Sequence, residues 1–136
     1  MLRKLLLFSY LAIFIGFGCA RIEPLKPGDA VWAEWTPELW YHGHIESTCE
    51  RGFKIRFDAQ DEKCSPPEEL AKDITPTRMA MNSGMPVLVP SPEGFYRRAK
   101  VLEEKGWKYQ VEFLDGLRGE FPIKELRLPF VSTLKN

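Results

Sequence analysis

The sequence predicts an all-β protein built from two copies of one small unit. The 136-residue chain aligns with itself at a constant shift of 56 residues, without a gap. Within each copy, short alternations of apolar and polar residues are separated by turns with glycine or proline, which is typical of half-buried strands. No segment sustains the spacing of apolar residues that a helix requires. The period covers a whole small domain, which indicates a tandem duplication rather than a solenoid.

The N-terminus is typical of an export signal. Met1–Lys4 is basic, and residues 5–18 form an uncharged, almost wholly apolar run of 14 residues. A bilayer-spanning helix takes about 20 residues, so this run is too short to span a membrane comfortably. A basic start followed by a short apolar run predicts a signal peptide instead. Its end resembles the lipobox of bacterial lipoproteins, with Gly16 where that motif usually has Leu, Val or Ile. The resemblance implies that Cys19 is acylated and holds the protein on a membrane. An ordinary signal peptide and an uncleaved anchor are the alternatives.

The repeat and its linkers divide the chain into units. Prolines keep the first linker extended, and Thr75–Ser83 joins the two copies. The predicted units are a signal peptide (1–18), a lipid-anchor linker (19–27), a first barrel (28–74), a linker (75–83), a second barrel (84–129) and a C-terminal tail (130–136).

Each copy is expected to hold five short strands. Phe53–Phe57 and Tyr109–Phe113 alternate strictly and correspond to one another. Gly52 and Gly106 mark the hairpins that precede them, and prolines then break the sheet before a short last strand near Leu70–Ile74 in the first copy and Leu126–Leu128 in the second. So many short strands in so few residues predict a strongly bent, barrel-like sheet, which leaves little exposed edge.

The charge is unevenly distributed, although the whole chain has a formal net charge of zero. The first copy contains 5 basic and 11 acidic residues, and the second copy contains 8 basic and 7 acidic ones. Because nucleic-acid binding needs clustered Lys and Arg, the acidic first copy argues against a nucleic-acid partner. An acidic surface suits a cationic partner, and a merely solvated surface is the alternative.

For two of the three cysteines, the sequence leaves open whether they form a disulfide. Cys49 and Cys64 fall on strands on either side of Phe53–Phe57, a separation of roughly 10 Å in a flat sheet, which is too long for a disulfide. Export favours the bond, since free thiols are uncommon in an oxidising compartment.

The first copy resembles a Tudor domain. The residues that carry this resemblance are Gly28-Asp29, Val31, Ala33, Trp35, Trp40-Tyr41, Gly43, Ile45 and Phe57-Asp58. The second copy resembles the family less closely, through Gly84, Val87, Phe95-Tyr96, Ala99, Val101, Tyr109, Val111 and Phe113. The resemblance implies two tandem five-stranded SH3-like barrels, in agreement with the strand count.

Many Tudor domains bind methylated lysine or arginine in an aromatic cage, where ring faces attract a weakly hydrated cation. Matched by position, the resemblance implies a cage of Trp35, Tyr41 and Phe57, with Asp58 beside it and Gln60 where the family has a fourth aromatic residue. The alternative is that these aromatic residues fill the barrel core.

The second copy lacks two of the cage residues. It has Ser91 and Arg97 in place of Trp35 and Tyr41, so we expect no cage there.

The sequence contains no convincing catalytic or metal site. His42 and His44 share a strand face, but no third ligand is evident, and no nucleophile–base pair or phosphate-binding glycine loop is present. We therefore expect a non-enzymatic protein without a metal or another cofactor.

The predicted function is partner binding at a bacterial cell envelope. The expected partner is a protein or peptide, for which a cationic group is one candidate, and the membrane is contacted through acylated Cys19. Two alternatives remain: an intracellular Tudor module for methylated or basic peptides, and a structural spacer or assembly subunit without a ligand.

Overall fold

A computed structural model describes residues 23–130, which form one antiparallel sheet of nine strands with three short 3-10 helices and no α-helix. The all-β prediction is confirmed for this part of the chain. The strands are β1 (Ala30–Thr36), β2 (Leu39–Cys49), β3 (Gly52–Phe57), β4 (Glu62–Ser65), β5 (Leu70–Lys72), β6 (Pro86–Pro90), β7 (Tyr96–Lys105), β8 (Lys108–Phe113) and β9 (Arg118–Pro122). The 3-10 helices are Pro67–Glu69, Arg78–Ala80 and Ile123–Glu125.

The predicted signal peptide, the predicted lipidation site Cys19 and most of the predicted C-terminal tail lie outside the described residues. Within residues 23–130, no helix has the length and apolar character needed to cross a membrane.

The sheet runs β4-β3-β2-β7-β8-β9, and it does not close on itself among the described strands. Two further strands branch from this path, because β1 pairs with both β2 and β5 while β6 pairs with β7. The two halves of the sheet meet where β2 runs antiparallel to β7, through the single residue pair Trp40–Tyr96.

The two halves repeat each other's register. Ile45 is opposite Ile55 in the first half, and the equivalent Val101 is opposite Val111 in the second. An irregularity follows at the same point in both halves, directly after Ile45 and after Val101. The constant shift of 56 residues therefore holds for strand pairing as well as for residue type.

The halves differ at their last strand. β5 pairs with β1 in the first half, whereas the corresponding part of the second half makes only the isolated bridge Leu88–Arg127. The strand expected near Leu126–Leu128 is therefore reduced to one bridge. The physical reason is that the chain then crosses to the first half, where Pro129 bridges to Ala71 and the Phe130 amide donates to the Leu70 carbonyl.

Each half has its own apolar core, and a third cluster joins them. The first core contains Leu25, Val31, Ala33, Ile45, Ile55, Phe57 and Leu70. The second contains Met81, Val87, Val89, Ala99, Val101, Tyr109, Val111 and Leu126. The joining cluster consists of Trp40, Ala71, Leu88 and Tyr96, with Trp32 packed against it.

A disulfide joins Cys49 and Cys64, whose Cα atoms are 6.2 Å apart. The separation of roughly 10 Å expected for a flat sheet is therefore wrong for this pair. β2 and β4 therefore approach each other more closely here than two strand spacings of a flat sheet. Gly52, opposite Cys49 on β3, lies against the Ser65 carbonyl with no room for a Cβ atom.

Candidate functional site

A cleft of about 340 Å³ opens beside the first half of the sheet. The end of β1, the start of β2 and the turn between β3 and β4 supply most of its lining. The lining from these elements is Trp35, Tyr41, His42, Phe57, Asp58, Ala59 and Asp61. The cleft thus combines aromatic rings with two carboxylates.

The three aromatic residues have different exposures. Trp35 and Tyr41 are 42% and 38% exposed, whereas Phe57 is 4% exposed and belongs to the core. The Trp35 ring stands edge-on to Phe57, with ring centroids 5.2 Å apart. Both interpretations of the aromatic residues therefore apply in part, since Phe57 is a core residue that also forms the floor of the cleft.

Strand alternation explains why the two exposed rings face this side. Trp35 continues the face of Val31 and Ala33, but it lies beyond the end of the core. Tyr41 shares the face of Gly43 and Ile45 on β2, whereas the preceding residue Trp40 points to the other face and is fully buried.

Two carboxylates of the β3–β4 turn give the cleft its acidic character. Asp58 and Asp61 both line it. Asp58 Oδ2 lies 2.7 Å from His42 Nδ1, and the Asp58 side chain remains 60% exposed. A cation in the cleft would have access to both carboxylates.

Gln60 does not line the cleft, although the resemblance placed it at the fourth wall. Its backbone adopts a positive φ of 77°, and its side chain turns back toward the Asp58 carbonyl at 3.4 Å. The equivalent residue in the second half is Gly116, with a φ of 86°. The turn conformation therefore directs Gln60 away from the rings.

His42 connects the cleft to a second carboxylate. Its Nε2 atom lies 3.1 Å from Asp73 Oδ2, while Nδ1 contacts Asp58. A protonated imidazole ring donates to both carboxylates at once, whereas a neutral ring donates to only one. Among the described residues, no group of three potential metal ligands is arranged to hold an ion.

Asp73 is a junction that the sequence did not reveal. Its Oδ1 atom accepts from Trp32 Nε1 at 3.0 Å and from Arg127 Nε at 2.8 Å. Burial alone would raise the pKa of the Asp73 carboxyl, but hydrogen bonds from Arg127 and Trp32 and the charges of Arg127 and His42 together lower that pKa. This carboxylate ties β1 and β2 to the C-terminal segment.

The second half also contributes to the cleft. Gly94, in the turn between β6 and β7, lines it, and the neighbouring Phe95 ring lies 5.9 Å from the Tyr41 ring. Sequence reasoning missed both residues, because a repeat shift does not tell how the two copies face each other.

The corresponding place in the second half is occupied by the chain itself. Arg97, the equivalent of Tyr41, places its guanidinium carbon 5.2 Å from the Phe113 ring centroid. Phe113 is the equivalent of Phe57, and Ser91 stands in place of Trp35. The Arg97 guanidinium therefore occupies the face of the Phe113 ring, so the chain itself supplies the cation there.

Comparisons with protein-family models and with curated proteins found no match to this chain.

Proposed function

We propose that this protein binds a cationic protein or peptide partner through the cleft of Trp35, Tyr41 and Phe57, without catalysing a reaction. The observation that carries the proposal is the combination of two exposed aromatic rings with Asp58 and Asp61 in one cleft. Ring faces attract a weakly hydrated cation, and nearby carboxylates add a Coulomb attraction.

The second half supports this choice of ligand charge. There the Arg97 guanidinium lies over Phe113, in a cation–π contact. The two halves share their register, so the aromatic residue at this position of the repeat is suited to hold a cation. In the first half Tyr41 replaces the arginine, and the cation has to come from a partner.

We further propose that the fold is a pair of tandem Tudor-type, SH3-like barrels. The equal strand register of the two halves supports a duplicated unit. The five strands of the first half, in the order β4-β3-β2-β1-β5, support a small, strongly bent sheet.

We place the protein at a bacterial cell envelope, anchored through acylated Cys19. The apolar N-terminal run and its small residues before Cys19 support this placement. The Cys49–Cys64 disulfide supports it independently, because such bonds persist in oxidising compartments.

Titration with three peptides of equal length tests the binding proposal. The peptides carry Arg and Lys, Glu, or Gln at the same positions, and calorimetry with the full-length protein in neutral detergent measures their affinities. We expect binding of the basic peptide alone, weakened by added salt because its attraction is partly electrostatic. Equal binding of all three peptides contradicts a cation site, and absence of binding favours a purely structural role.

Fatty-acid labelling and cell fractionation test the location. We expect metabolic labelling of the wild-type protein and its recovery with membranes, and loss of labelling in Cys19→Ser. Labelling that persists in the variant contradicts acylation of Cys19. Recovery of an unlabelled wild-type protein in the cytosol contradicts export.

A further inference from the structure

We propose that the cleft is shared between the two repeats, with the β6–β7 turn of the second repeat forming one rim of the site. This inference rests on the proposed cation binding. It assigns separate roles to the copies: the first supplies the aromatic rings and the carboxylates, and the second supplies Gly94 as the rim and Phe95 as a positioning residue behind Tyr41.

The β6–β7 turn of the second repeat reaches the cleft of the first repeat. Gly94 is part of the cleft lining, although it is 53 residues from Tyr41 in the chain. A ligand that fills the cleft therefore passes within reach of the Gly94 backbone. The other lining residues of the cleft all come from the first half.

Hydrogen bonds and strand pairing hold the β6–β7 turn in place. The Phe95 carbonyl accepts hydrogen bonds from the Ser91 amide at 2.9 Å and from the Ser91 hydroxyl at 2.8 Å. The next residue, Tyr96, pairs with Trp40, which directly precedes Tyr41. The turn is thus fixed both internally and to the strand that carries one wall of the cleft.

Phe95 packs against a ring that lines the cleft. Its ring is half-buried and lies against the Tyr41 ring at a tilt of 50°. Tyr41 itself is 38% exposed, so without Phe95 its side chain would lose a neighbour that limits its rotamers. Phe95 therefore acts on the ligand through Tyr41, and Gly94 meets the ligand directly.

A matched pair of substitutions at Gly94 tests this assignment. Gly94 has a φ of 92°, which Asn and Asp tolerate better than other residues, and a Cβ atom there meets nothing within 4 Å. The aspartate and asparagine side chains that Gly94→Asp and Gly94→Asn introduce have nearly the same shape, but only the aspartate is charged. Choline is the cationic probe, and 3,3-dimethyl-1-butanol is its uncharged analogue.

We expect the Asp variant to bind choline about threefold more tightly than the Asn variant in low salt, because a carboxylate at the rim adds an attraction at roughly 6 Å. The difference should shrink at high salt and be absent for the uncharged analogue. Gly116→Asp is the control, since it adds the same charge at another positive-φ glycine, in the turn between β8 and β9.

Phe95→Leu and Phe95→Tyr supply a second, independent measurement. Leu keeps an apolar contact without the ring, and we expect a loss of choline affinity of about threefold together with a changed Tyr41 ring signal in NMR spectra. Phe95→Tyr keeps the ring, so the choline affinity and the Tyr41 ring signal should both match those of the wild-type protein.

The outcomes separate this inference from the proposed function. If choline binds and Trp35→Ala abolishes binding, but the Asp and Asn variants at Gly94 bind equally, the site is confined to the first repeat and the inference is wrong. If the wild-type protein binds neither choline nor a basic peptide, the proposed function fails together with it.

Discussion

Trp40 and Tyr96 occupy equivalent positions of the repeat and lie directly opposite each other where β2 meets β7. A duplicated unit that joins its copies through the same position on each has a local two-fold relationship at that point. Trp40 is fully buried there, with the Arg98 guanidinium carbon 5.3 Å from its ring centroid. The joint between the halves is therefore built on this aromatic pair.

Replacement of Trp40 should destabilise the whole sheet. We expect Trp40→Ala to lower the free energy of unfolding by about 3–5 kcal/mol, because it removes the largest buried side chain of the joining cluster. Trp40→Phe should cost roughly 1–2 kcal/mol, since Nε1 has no hydrogen-bond partner among the described residues and its loss breaks no bond. Urea unfolding measures both, and equal losses in the two variants would contradict this.

The Asp73 junction predicts a dependence of stability on pH. The pKa of this carboxyl is lowered in the folded state, so the unfolded state binds more protons and stability falls as the pH drops through the folded pKa. At pH 7 we expect Asp73→Asn to cost about 1–3 kcal/mol, because the charged acceptor of the Arg127 and Trp32 bonds is lost.

As the pH falls below the ordinary aspartate pKa of about 3.9, the unfolded chain takes up the Asp73 proton first, and the folded carboxyl takes it up only at a lower pH, so the difference between wild type and variant should shrink over this range. Thermal unfolding from neutral to acid pH measures it. Asp115→Asn, in an exposed turn, is the control and should show little difference at any pH. A difference that stays constant from pH 7 to acid would show that the Asp73 charge does not stabilise the fold.

Replacement of Gln60 by glycine should raise the free energy of unfolding, whereas the substitutions at Trp40 and Asp73 lower it. It adopts a positive φ where the second half has Gly116. Because a left-handed conformation is unfavourable for a side chain with a Cβ atom, we expect Gln60→Gly to raise the free energy of unfolding by about 0.5–1 kcal/mol.

The reciprocal change Gly116→Gln should lower stability by a similar amount. Choline binding should be unaffected by Gln60→Gly, since this side chain does not line the cleft. Weaker binding in that variant would return Gln60 to the site.

The Cys49–Cys64 disulfide closes a loop with a sequence separation of 15 residues. A loop of that length predicts a loss of about 3 kcal/mol when the bond is removed. The variant with both cysteines replaced by serine should show this loss in urea unfolding without reductant. Addition of a reductant should destabilise the wild-type protein and leave the variant unchanged, and equal behaviour of the two proteins would contradict the bond.

Much of the architecture is accessible from the sequence, because strand alternation indicates which residues share a face and the gapless repeat transfers any pairing from one half to the other. Ile45 opposite Ile55 implies Val101 opposite Val111 once the shift is known. One cleft is lined by four of the residues that the sequence analysis grouped, namely Trp35, Tyr41, Phe57 and Asp58.

The sequence does not disclose the curvature of the sheet or the contacts between the two halves. Cys49 and Cys64 are 6.2 Å apart at their Cα atoms, which is closer than a flat sheet would place them. The Asp73–Arg127 bond and the contact of Gly94 with the cleft bring together residues more than 50 positions apart or from different copies. No local pattern encodes such contacts.

NMR titration of Trp35→Ala with the basic peptide tests most directly whether Trp35 and Tyr41 hold a cation. Trp107→Ala is the matched control, because that ring is 70% exposed and lies in the turn between β7 and β8, whereas the cleft is at the Tyr96 end of β7. We predict that Trp35→Ala keeps a folded spectrum and loses at least tenfold in affinity, while Trp107→Ala binds like wild type. A folded Trp35→Ala protein with wild-type affinity would contradict the claim.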